Sequence, residues 1–168
     1  MQEPIAELFM IHMMIGIQGA GKTTFAKELA KEINAEIVST DGVRMANPGI
    51  SEELVWPYVY KKVAECVKNN IEVIFDATSI TPKVRKRFIE NVELHDVKCV
   101  IGAYYFDVDK NICAKRVEKR NMDNSQINIP IEVIYSHSDR LIPPTLEEGF
   151  KFIKIIRDGE VAEVIENE

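Results

Sequence analysis

Eight consecutive residues have the types and spacing needed to hold the phosphates of a nucleotide. Residues 16–23 read GIQGAGKT, a complete G-x-x-x-x-G-K-[ST] pattern. Glycines let the backbone aim N–H groups at phosphate oxygens, the lysine reaches the β- and γ-phosphates, and the threonine hydroxyl can hold Mg²⁺. The pattern predicts that the chain binds ATP, with Mg²⁺ at Thr23. The candidate ATP-binding residues are Gly16, Gln18, Gly19, Ala20, Gly21, Lys22, Thr23 and Thr24.

The sequence on both sides of this loop supports the same prediction. Residues 8–15 (LFMIHMMI) form an almost unbroken apolar run, as expected for a strand buried on both faces. Residues 25–33 (FAKELAKEI) carry apolar side chains at helical spacing. A strand, a glycine loop and a helix in this order bring phosphates to a helix N-terminus, so a chance glycine-rich turn is the weaker interpretation.

An acid and an arginine three residues apart follow the next predicted strand, residues 35–39. Asp41 is a candidate general base, because a carboxylate across the cleft from the phosphate loop can accept a proton from an attacking hydroxyl. Arg44 can hold a phosphate of the acceptor or stabilise developing charge. A turn that begins at Asp41 and a solvated Arg44 fit the same spacing.

A second acid, Asp76, ends the predicted strand of residues 71–75. An acid at such a strand end often belongs to the Mg²⁺ shell of phosphate-loop proteins, so we expect Asp76 to serve the metal, through a water, or the acceptor. A cap on the following turn is the alternative. Thr78 and Ser79 are candidate acceptor contacts, although hydroxyl side chains form turns as often.

Arg116 and Arg120 stand four residues apart on a predicted helix, residues 109–120, and therefore share one face. We expect the polar stretch of residues 121–128 to be mobile. Together with this helix it makes up a candidate lid that consists of residues 109–128. Two guanidiniums on a lid can clamp the transferring phosphoryl group as arginines supplied in cis. A charged helix that faces water is the alternative.

Three other groups of residues have simpler interpretations. We expect the basic run KVRKR at residues 83–87 to be a solvated helix face rather than a polyanion contact. We expect His12 to be a hydrogen-bonded interior residue. Trp56, Tyr58 and Tyr60 are expected to pack in the core rather than to stack on an acceptor base.

Length, net charge, apolar runs and cysteine spacing together indicate which classes of protein this chain can belong to. The chain has 168 residues, a length that predicts one domain over residues 1–168. A net charge of −6 counts against a broad nucleic-acid surface but not against a local basic cleft. No apolar run approaches the roughly twenty residues that span a bilayer. Cys66, Cys99 and Cys113 lack C-x-x-C spacing, so we expect neither disulfides nor zinc, and a cytoplasmic protein.

Strands and helices alternate along the chain. Helices are expected at 51–70, from Pro82 with Thr81 as its cap, at 109–120 and from residue 129 to before 143. A further strand is expected at 98–106, and Asp158-Gly159 between residues 152–156 and 160–165 is a hairpin signal. This order predicts an α/β fold, the three-layer α/β/α sandwich of phosphate-loop NTPases with a mostly parallel sheet and a helical lid. The chain has no N-K-x-D motif, which disfavours a guanine-specific GTPase.

Taken together, these motifs resemble the kinase domain of the polynucleotide 5′-hydroxyl kinases, within the small phosphate-loop kinases of the AAA_33 and zeta-toxin-like group. The shared motifs are GIQGAGKT, DGVR at 41–44, DATSITP at 76–82 and CAKRVEKR at 113–120. The segment PPT with EEGF, at 143–150, is similar to the closing segment of that family. The resemblance extends from about residue 9 to about residue 156.

The resemblance implies a role for each matched residue. Lys22 and Thr23 would serve the ATP phosphates and Mg²⁺, and Asp41 would be the general base. Arg44 would contact the acceptor's phosphate. Asp76 and Thr78 would line the acceptor side, and Arg116 with Arg120 would cover the donor phosphates.

We therefore expect an ATP-dependent kinase that moves the γ-phosphoryl group to a hydroxyl, with Lys22, Asp41, Arg116 and Arg120 as catalytic residues. The first expectation for the acceptor is a nucleic-acid 5′-hydroxyl. A small molecule such as a sugar, a nucleotide sugar or an antibiotic is the alternative. A nucleotide-binding regulator that hydrolyses ATP without transfer belongs to a different class and would not need Asp41.

Overall fold

A computed structural model describes residues 9–123 and 128–166. Its strands are β1 (Ile11–Ile15), β2 (Glu36–Ser39), β3 (Val73–Asp76), β4 (Ile101–Phe106), β5 (Phe152–Arg157) and β6 (Glu160–Glu166). Its helices are α1 (Lys22–Ile33), α2 (Thr40–Ala46), α3 (Glu52–Lys68), α4 (Pro82–Glu93), α5 (Lys110–Asn121) and α6 (Ile131–Arg140), with a 3₁₀ turn at Leu146–Glu148.

The strands form one sheet in the order β2-β3-β1-β4-β5-β6. The first five pair in parallel, and β6 runs antiparallel to β5. Parallel pairing puts the carboxyl ends of β1, β2 and β3 at one edge, where ligands of such sheets bind. The predicted α/β fold with a mostly parallel sheet is confirmed.

The central strand β1 explains why the fold has three layers. Every residue of β1 is buried, and successive side chains of a strand point to opposite faces. Met13 packs with the core cluster that contains side chains of α2, α3 and α4. Met14 packs with a second cluster that contains side chains of α1, α5 and α6. The almost unbroken apolar run in the sequence therefore corresponds to a sheet covered by helices on both faces.

His12 lies on this strand and is a satisfied interior residue, as expected. One ring nitrogen is 2.9 Å from the Tyr104 hydroxyl and the other is 2.8 Å from Glu72 Oε2. Burial lowers the pKa of His12 although Glu72 opposes this shift.

Several local signals in the sequence are confirmed. The Thr81 hydroxyl accepts a hydrogen bond from the backbone N–H of Val84 and Pro82 is the first residue of α4, the arrangement expected for a capped helix start. Asp109 caps α5 in the same way. The residues of the β5–β6 turn, Asp158 and Gly159, both have positive φ, as a two-residue hairpin requires.

Some predicted elements differ from the structure. The predicted strands at 71–75 and 98–106 are shorter at their starts, since β3 begins at Val73 and β4 at Ile101. Helix α2 was not predicted: the sequence suggested a turn after residue 39 and a loop at 45–50. Seven residues with a glycine inside carry too little periodicity to indicate a helix, which here begins because the Ser39 side chain accepts from the Gly42 N–H. Pro57 lies inside α3, which continues through it.

The expectation of a solvated basic face at residues 83–87 is wrong for Arg85. Lys83, Lys86 and Arg87 are exposed, but Arg85 is only 1% exposed and forms an ion pair with Glu148. Buried residues of α4 recur at 85, 88 and 92, so Arg85 lies on the apolar face of the helix.

The aromatic residues of α3 divide in two. Trp56 and Tyr60 pack against the core, as expected, whereas Tyr58 is 46% exposed.

None of the helices in the described ranges is long and apolar enough to cross a bilayer. Cys66, Cys99 and Cys113 are free thiols.

The predicted lid is only partly described. Its helical portion is α5, and residues 124–127, to which the expectation of a mobile polar stretch applied, lie outside the described residues. The Asn121 side-chain amide forms two hydrogen bonds with the backbone of Ile129, so the end of α5 is tied to the start of α6.

Candidate functional site

The phosphate loop connects β1 to α1. Gly19 and Gly21 have φ angles of 82° and 96°, a region that side chains disfavour, so the loop needs glycine at both positions. Gly21 is also the N-cap of α1 and has no side chain to satisfy the first N–H groups of the helix. The N–H groups at a helix N-terminus point away from the helix, here toward the loop. Together with the positive end of the helix dipole, they favour the binding of an anion in the loop.

Lys22 is the cation of this loop. Its side chain is buried, and Nζ donates a hydrogen bond of 2.7 Å to the carbonyl oxygen of Ile17. Burial lowers the pKa of Lys22 to about 8, with Asp76 opposing the shift and Arg120 adding to it. A desolvated ammonium group gains strongly from a nearby phosphate, because the anion replaces the lost hydration.

Thr23 and Asp76 are brought together by the sheet. The Thr23 hydroxyl donates a hydrogen bond of 2.9 Å to Asp76 Oδ2. The contact follows from the register, because Met14 near the end of β1 lies opposite Asp76 at the end of β3. A hydroxyl and a carboxylate beside a phosphate site are the oxygen ligands that Mg²⁺ prefers, so these two residues fit the metal. In the described part of the chain, no three His, Cys, Asp or Glu side chains cluster as a metal site of their own.

Asp41 and Arg44 lie on α2, at the same edge of the sheet. Ser39, the last residue of β2, pairs with Asp76, and Asp41 follows two residues later. Arg44 donates to Asp41 at 2.8 Å through Nη1. Strand pairing therefore brings the start of α2 to the end of β3, and one hydrogen bond joins Asp41 to Arg44.

Glu52 at the start of α3 was missed by the sequence analysis. It accepts two hydrogen bonds from Arg44, 2.8 Å from Nε and 2.9 Å from Nη2. This hydrogen bonding raises the pKa of Arg44 and lowers that of Glu52. Arg44 therefore faces two carboxylates, Asp41 and Glu52, and an acceptor phosphate at this position would compete with both.

The segment after β3 reaches the phosphate loop through its backbone. The carbonyl oxygen of Thr78 accepts a hydrogen bond of 3.0 Å from the N–H of Gly16. The Thr78 side chain is partly buried, and the neighbouring Ser79 is buried. Ser79 has a φ of 46°, so it forms a tight turn at this point.

The lid helix α5 packs directly on the phosphate loop. A Cβ added at Gly19 would lie 2.5 Å from the carbonyl oxygen of Cys113, so only glycine permits this approach. Arg116 Nη1 donates a hydrogen bond of 3.1 Å to the carbonyl oxygen of Gly19. Arg120 lies near enough to lower the pKa of Lys22. Both arginines are exposed.

Helix α6 also contacts the phosphate loop, and no pattern in the sequence indicated this contact. The Gln18 side-chain amide lies 2.9 Å from Nδ1 of His137. Burial lowers the pKa of His137, and the charges of Arg140 and Lys22 lower it further. A lone histidine on an amphipathic helix does not indicate such a role. Two loop residues with a predicted contact remain: Ala20 is buried, and Thr24 is exposed at the start of α1.

The sequence model of the AAA_33 family, described as an AAA domain, matches residues 11–144. The chain belongs to the AAA_33 family. The matched range contains the phosphate loop, α2, the segment after β3, the lid and α6.

Solved structures with the same fold include several kinases. A protein from Chloroflexus aurantiacus, provisionally described as a kinase, is 13% identical with a TM-score of 0.63, over 77% of this chain and 76% of that one. A sugar kinase from Janibacter is 14% identical with a TM-score of 0.62, over 88% and 84%. A chain of the Pnkp1/Rnl/Hen1 complex is 22% identical with a TM-score of 0.59, over 75% of this chain and 43% of that longer one. At these identities the likeness establishes the fold, a kinase-like phosphate-loop fold.

Proposed function

We propose that this AAA_33 protein is an ATP-dependent kinase that transfers the γ-phosphoryl group to a hydroxyl. The observation that carries the proposal is the hydrogen bond between Thr23 and Asp76, next to the buried Lys22. The same sheet edge carries Asp41, an acid that phosphate binding alone does not need. Nucleotide phosphates, a metal and a hydroxyl acceptor would thus meet at one edge.

The donor side of this reaction would use the phosphate loop. Backbone N–H groups of Gly19 and Gly21 would bind phosphate oxygens, and Lys22 would reach the β- and γ-phosphates. Thr23 would hold Mg²⁺ directly and Asp76 through a water. When bound, the metal neutralises charge on the phosphate oxygens.

On the acceptor side, Asp41 would accept the proton of the attacking hydroxyl. The bond from the acceptor oxygen to the γ-phosphorus forms as the bond to the bridging oxygen of ADP breaks. Arg116 and Arg120 would stabilise the charge on the transferring group. Arg44 would hold Asp41 in place and contact the acceptor, with Thr78 lining the same side.

For the acceptor we propose the 5′-hydroxyl of a polynucleotide. The motifs at 41–44, 76–82 and 113–120 support this choice, together with the likeness to a chain of the Pnkp1/Rnl/Hen1 complex. A small-molecule hydroxyl is the second candidate, favoured by the likeness to a sugar kinase and by the two carboxylates that already neutralise Arg44. An uncharged sugar would not have to compete with Asp41 and Glu52 for the Arg44 guanidinium.

Transfer of γ-labelled phosphate from ATP, with Mg²⁺, tests both candidates. The acceptors are 5′-hydroxyl DNA and RNA oligonucleotides, nucleosides, sugars, nucleotide sugars and aminoglycosides. Asp41→Asn is the matched variant, since it keeps the size of the side chain and the site of ATP binding. Loss of general base catalysis should reduce transfer about 10²- to 10⁴-fold while the affinity for ATP stays the same.

The distribution of label decides between the candidates. Label on oligonucleotides that is lost in Asp41→Asn supports the polynucleotide acceptor. Label on a small molecule alone keeps the kinase and replaces the acceptor. Label that appears only as free phosphate, at equal rates in both proteins, contradicts the kinase and favours a regulatory ATPase.

A further inference from the structure

Among the residues that the structure describes, Arg85 is the largest fully buried side chain, and the proposed reaction does not use it. Its guanidinium donates to Glu148 twice, 2.8 Å from Nε and 3.0 Å from Nη2. Two further hydrogen bonds go to backbone carbonyl oxygens, 2.8 Å to Ser79 and 3.1 Å to Ile142. A buried guanidinium is costly unless its donors are satisfied, and here three nitrogens have partners.

Residues 77–80 join Asp76 to helix α4, and one of the Arg85 hydrogen bonds is among three that hold the backbone of this segment. The carbonyl oxygens of three consecutive residues are each held by a different part of the molecule. That of Thr78 accepts from the N–H of Gly16, that of Ser79 from Arg85, and that of Ile80 from the N–H of Ile142 at 2.8 Å. The segment therefore has its backbone tied to the phosphate loop, to α4 and to the chain after α6.

Arg85 holds the point of this segment that most needs support. Ser79 has a positive φ of 46°, a conformation that persists in a non-glycine residue only when its surroundings impose it. Arg85 supplies that constraint from inside the core, and Glu148 fixes Arg85. Glu148 is fixed in turn, because it also accepts from the N–H of Thr145 at 2.9 Å.

We propose that Arg85 is a positioning residue of the metal–nucleotide site. By holding the Ser79 carbonyl, it keeps residues 77–80 in the conformation in which Asp76 faces Thr23 and Thr78 faces Gly16. This inference rests on the proposed function, because it assumes that Thr23 and Asp76 serve Mg²⁺ bound with ATP. Arg85 itself touches neither, and its effect passes through three residues of backbone.

Calorimetric titration with ATP, in excess Mg²⁺ and in EDTA, tests this role without any acceptor. The quantity compared is the factor by which Mg²⁺ tightens ATP binding. In Arg85→Lys, the guanidinium that donates four hydrogen bonds is replaced by a single ammonium group. In Glu148→Gln, the side chain loses its negative charge but keeps its shape. Arg87→Lys is the matched control, because Arg87 is exposed on the same helix.

We expect the Mg²⁺ factor to fall about tenfold in Arg85→Lys and in Glu148→Gln, as for other residues that orient metal ligands. Affinity in EDTA should stay the same, since Lys22 and the loop glycines are unchanged. Arg87→Lys should behave as the wild type. A purely structural role would lower the melting temperature and leave the Mg²⁺ factor of the folded protein unchanged.

The outcomes separate this inference from the proposed function. A folded Arg85→Lys protein with the wild-type Mg²⁺ factor overturns the inference alone. Wild-type protein that binds no ATP overturns the proposed function and the inference with it. Circular dichroism identifies the folded variants, and if Arg85→Lys does not fold, Glu148→Gln decides by the same factor.

Discussion

Arg116 of the lid helix donates a hydrogen bond of 3.1 Å to the carbonyl oxygen of Gly19 in the phosphate loop. The two residues are 97 positions apart in the chain. Packing of α5 on the phosphate loop thus brings the Arg116 guanidinium to the loop that we propose binds the nucleotide phosphates.

Loss of either lid arginine should slow phosphoryl transfer severely. Arg116→Ala or Arg120→Ala removes a guanidinium that would stabilise the transferring group, an effect of roughly 10³-fold in related chemistry. Single-turnover transfer to the acceptor found in the labelling panel measures it. Lys115→Ala and Lys119→Ala, at exposed positions of the same helix, should change the rate little. An effect below about fivefold in both arginine variants would place these residues on a solvated face.

A methyl group at Gly19 should push the lid away from the phosphate loop. Gly19→Ala adds a Cβ 2.5 Å from the carbonyl oxygen of Cys113, and its φ of 82° disfavours alanine as well. Gly49→Ala is the matched control, with a φ of 84° and open space around the added atom. Backbone strain alone costs about 1–2 kcal/mol in either variant.

Urea unfolding and ATP titration separate the two effects. Gly19→Ala should lose more stability than Gly49→Ala and should also bind ATP more weakly. Equal stability losses with unchanged ATP affinity in both would show that the lid does not depend on this approach.

Replacement of Lys22 should stabilise the free protein while abolishing transfer. The pKa of Lys22 is lowered by burial from 10.5 to about 8, so the folded state releases this proton first as the pH rises. Between pH 8 and 10.5 the unfolded state binds the extra proton, and the free energy of unfolding rises with pH across that window. Below pH 8 both states are protonated and the full penalty of the buried charge applies.

Lys22→Met should therefore raise the free energy of unfolding at pH 7 by up to roughly 3 kcal/mol and remove the rise between pH 8 and 10.5. Urea unfolding at pH 7 and pH 9.5 measures both effects. Lys27→Met, at an exposed position of the same helix, is the control and should show neither. A Lys22→Met protein that is less stable than wild type at both pH values would contradict the conclusion that burial of the Lys22 charge destabilises the free protein.

Removal of the charge of Glu52 should change acceptor preference. Two of the three Arg44 nitrogens bind Glu52, so a phosphate on the acceptor must compete with it. Glu52→Gln should lower KM by about fivefold or less for acceptors that carry a phosphate beside the reacting hydroxyl, because an exposed pair is weak. KM for uncharged acceptors should not change.

Steady-state kinetics with a nucleoside and its 3′-phosphate compares the two acceptor types. Glu53→Gln, the neighbouring acid at the start of α3, is the control. Equal KM changes for both acceptors would mean that Arg44 does not meet an acceptor phosphate.

Local sequence was sufficient for the phosphate loop, for the order of the strands and of every helix but α2 and the 3₁₀ turn, and for the caps at Thr81 and Asp109. These features depend on backbone conformation and side-chain periodicity over a few neighbouring residues, so their signals are complete within short segments. The buried run around His12 indicated a central strand for the same reason. The short helix α2 gave no such signal and was missed.

Tertiary structure alone decided which residues of the site meet. Thr23 and Asp76 are 53 positions apart, Arg85 and Glu148 are 63, and Gln18 and His137 are 119. Strand register and the packing of helices on both faces of the sheet set these pairs, and no local pattern encodes a partner so distant. The sequence by itself determined that Lys22 and Thr23 form a phosphate loop, whereas only the tertiary structure brought the Asp76 carboxylate to that threonine and buried Arg85 against the backbone of Ser79.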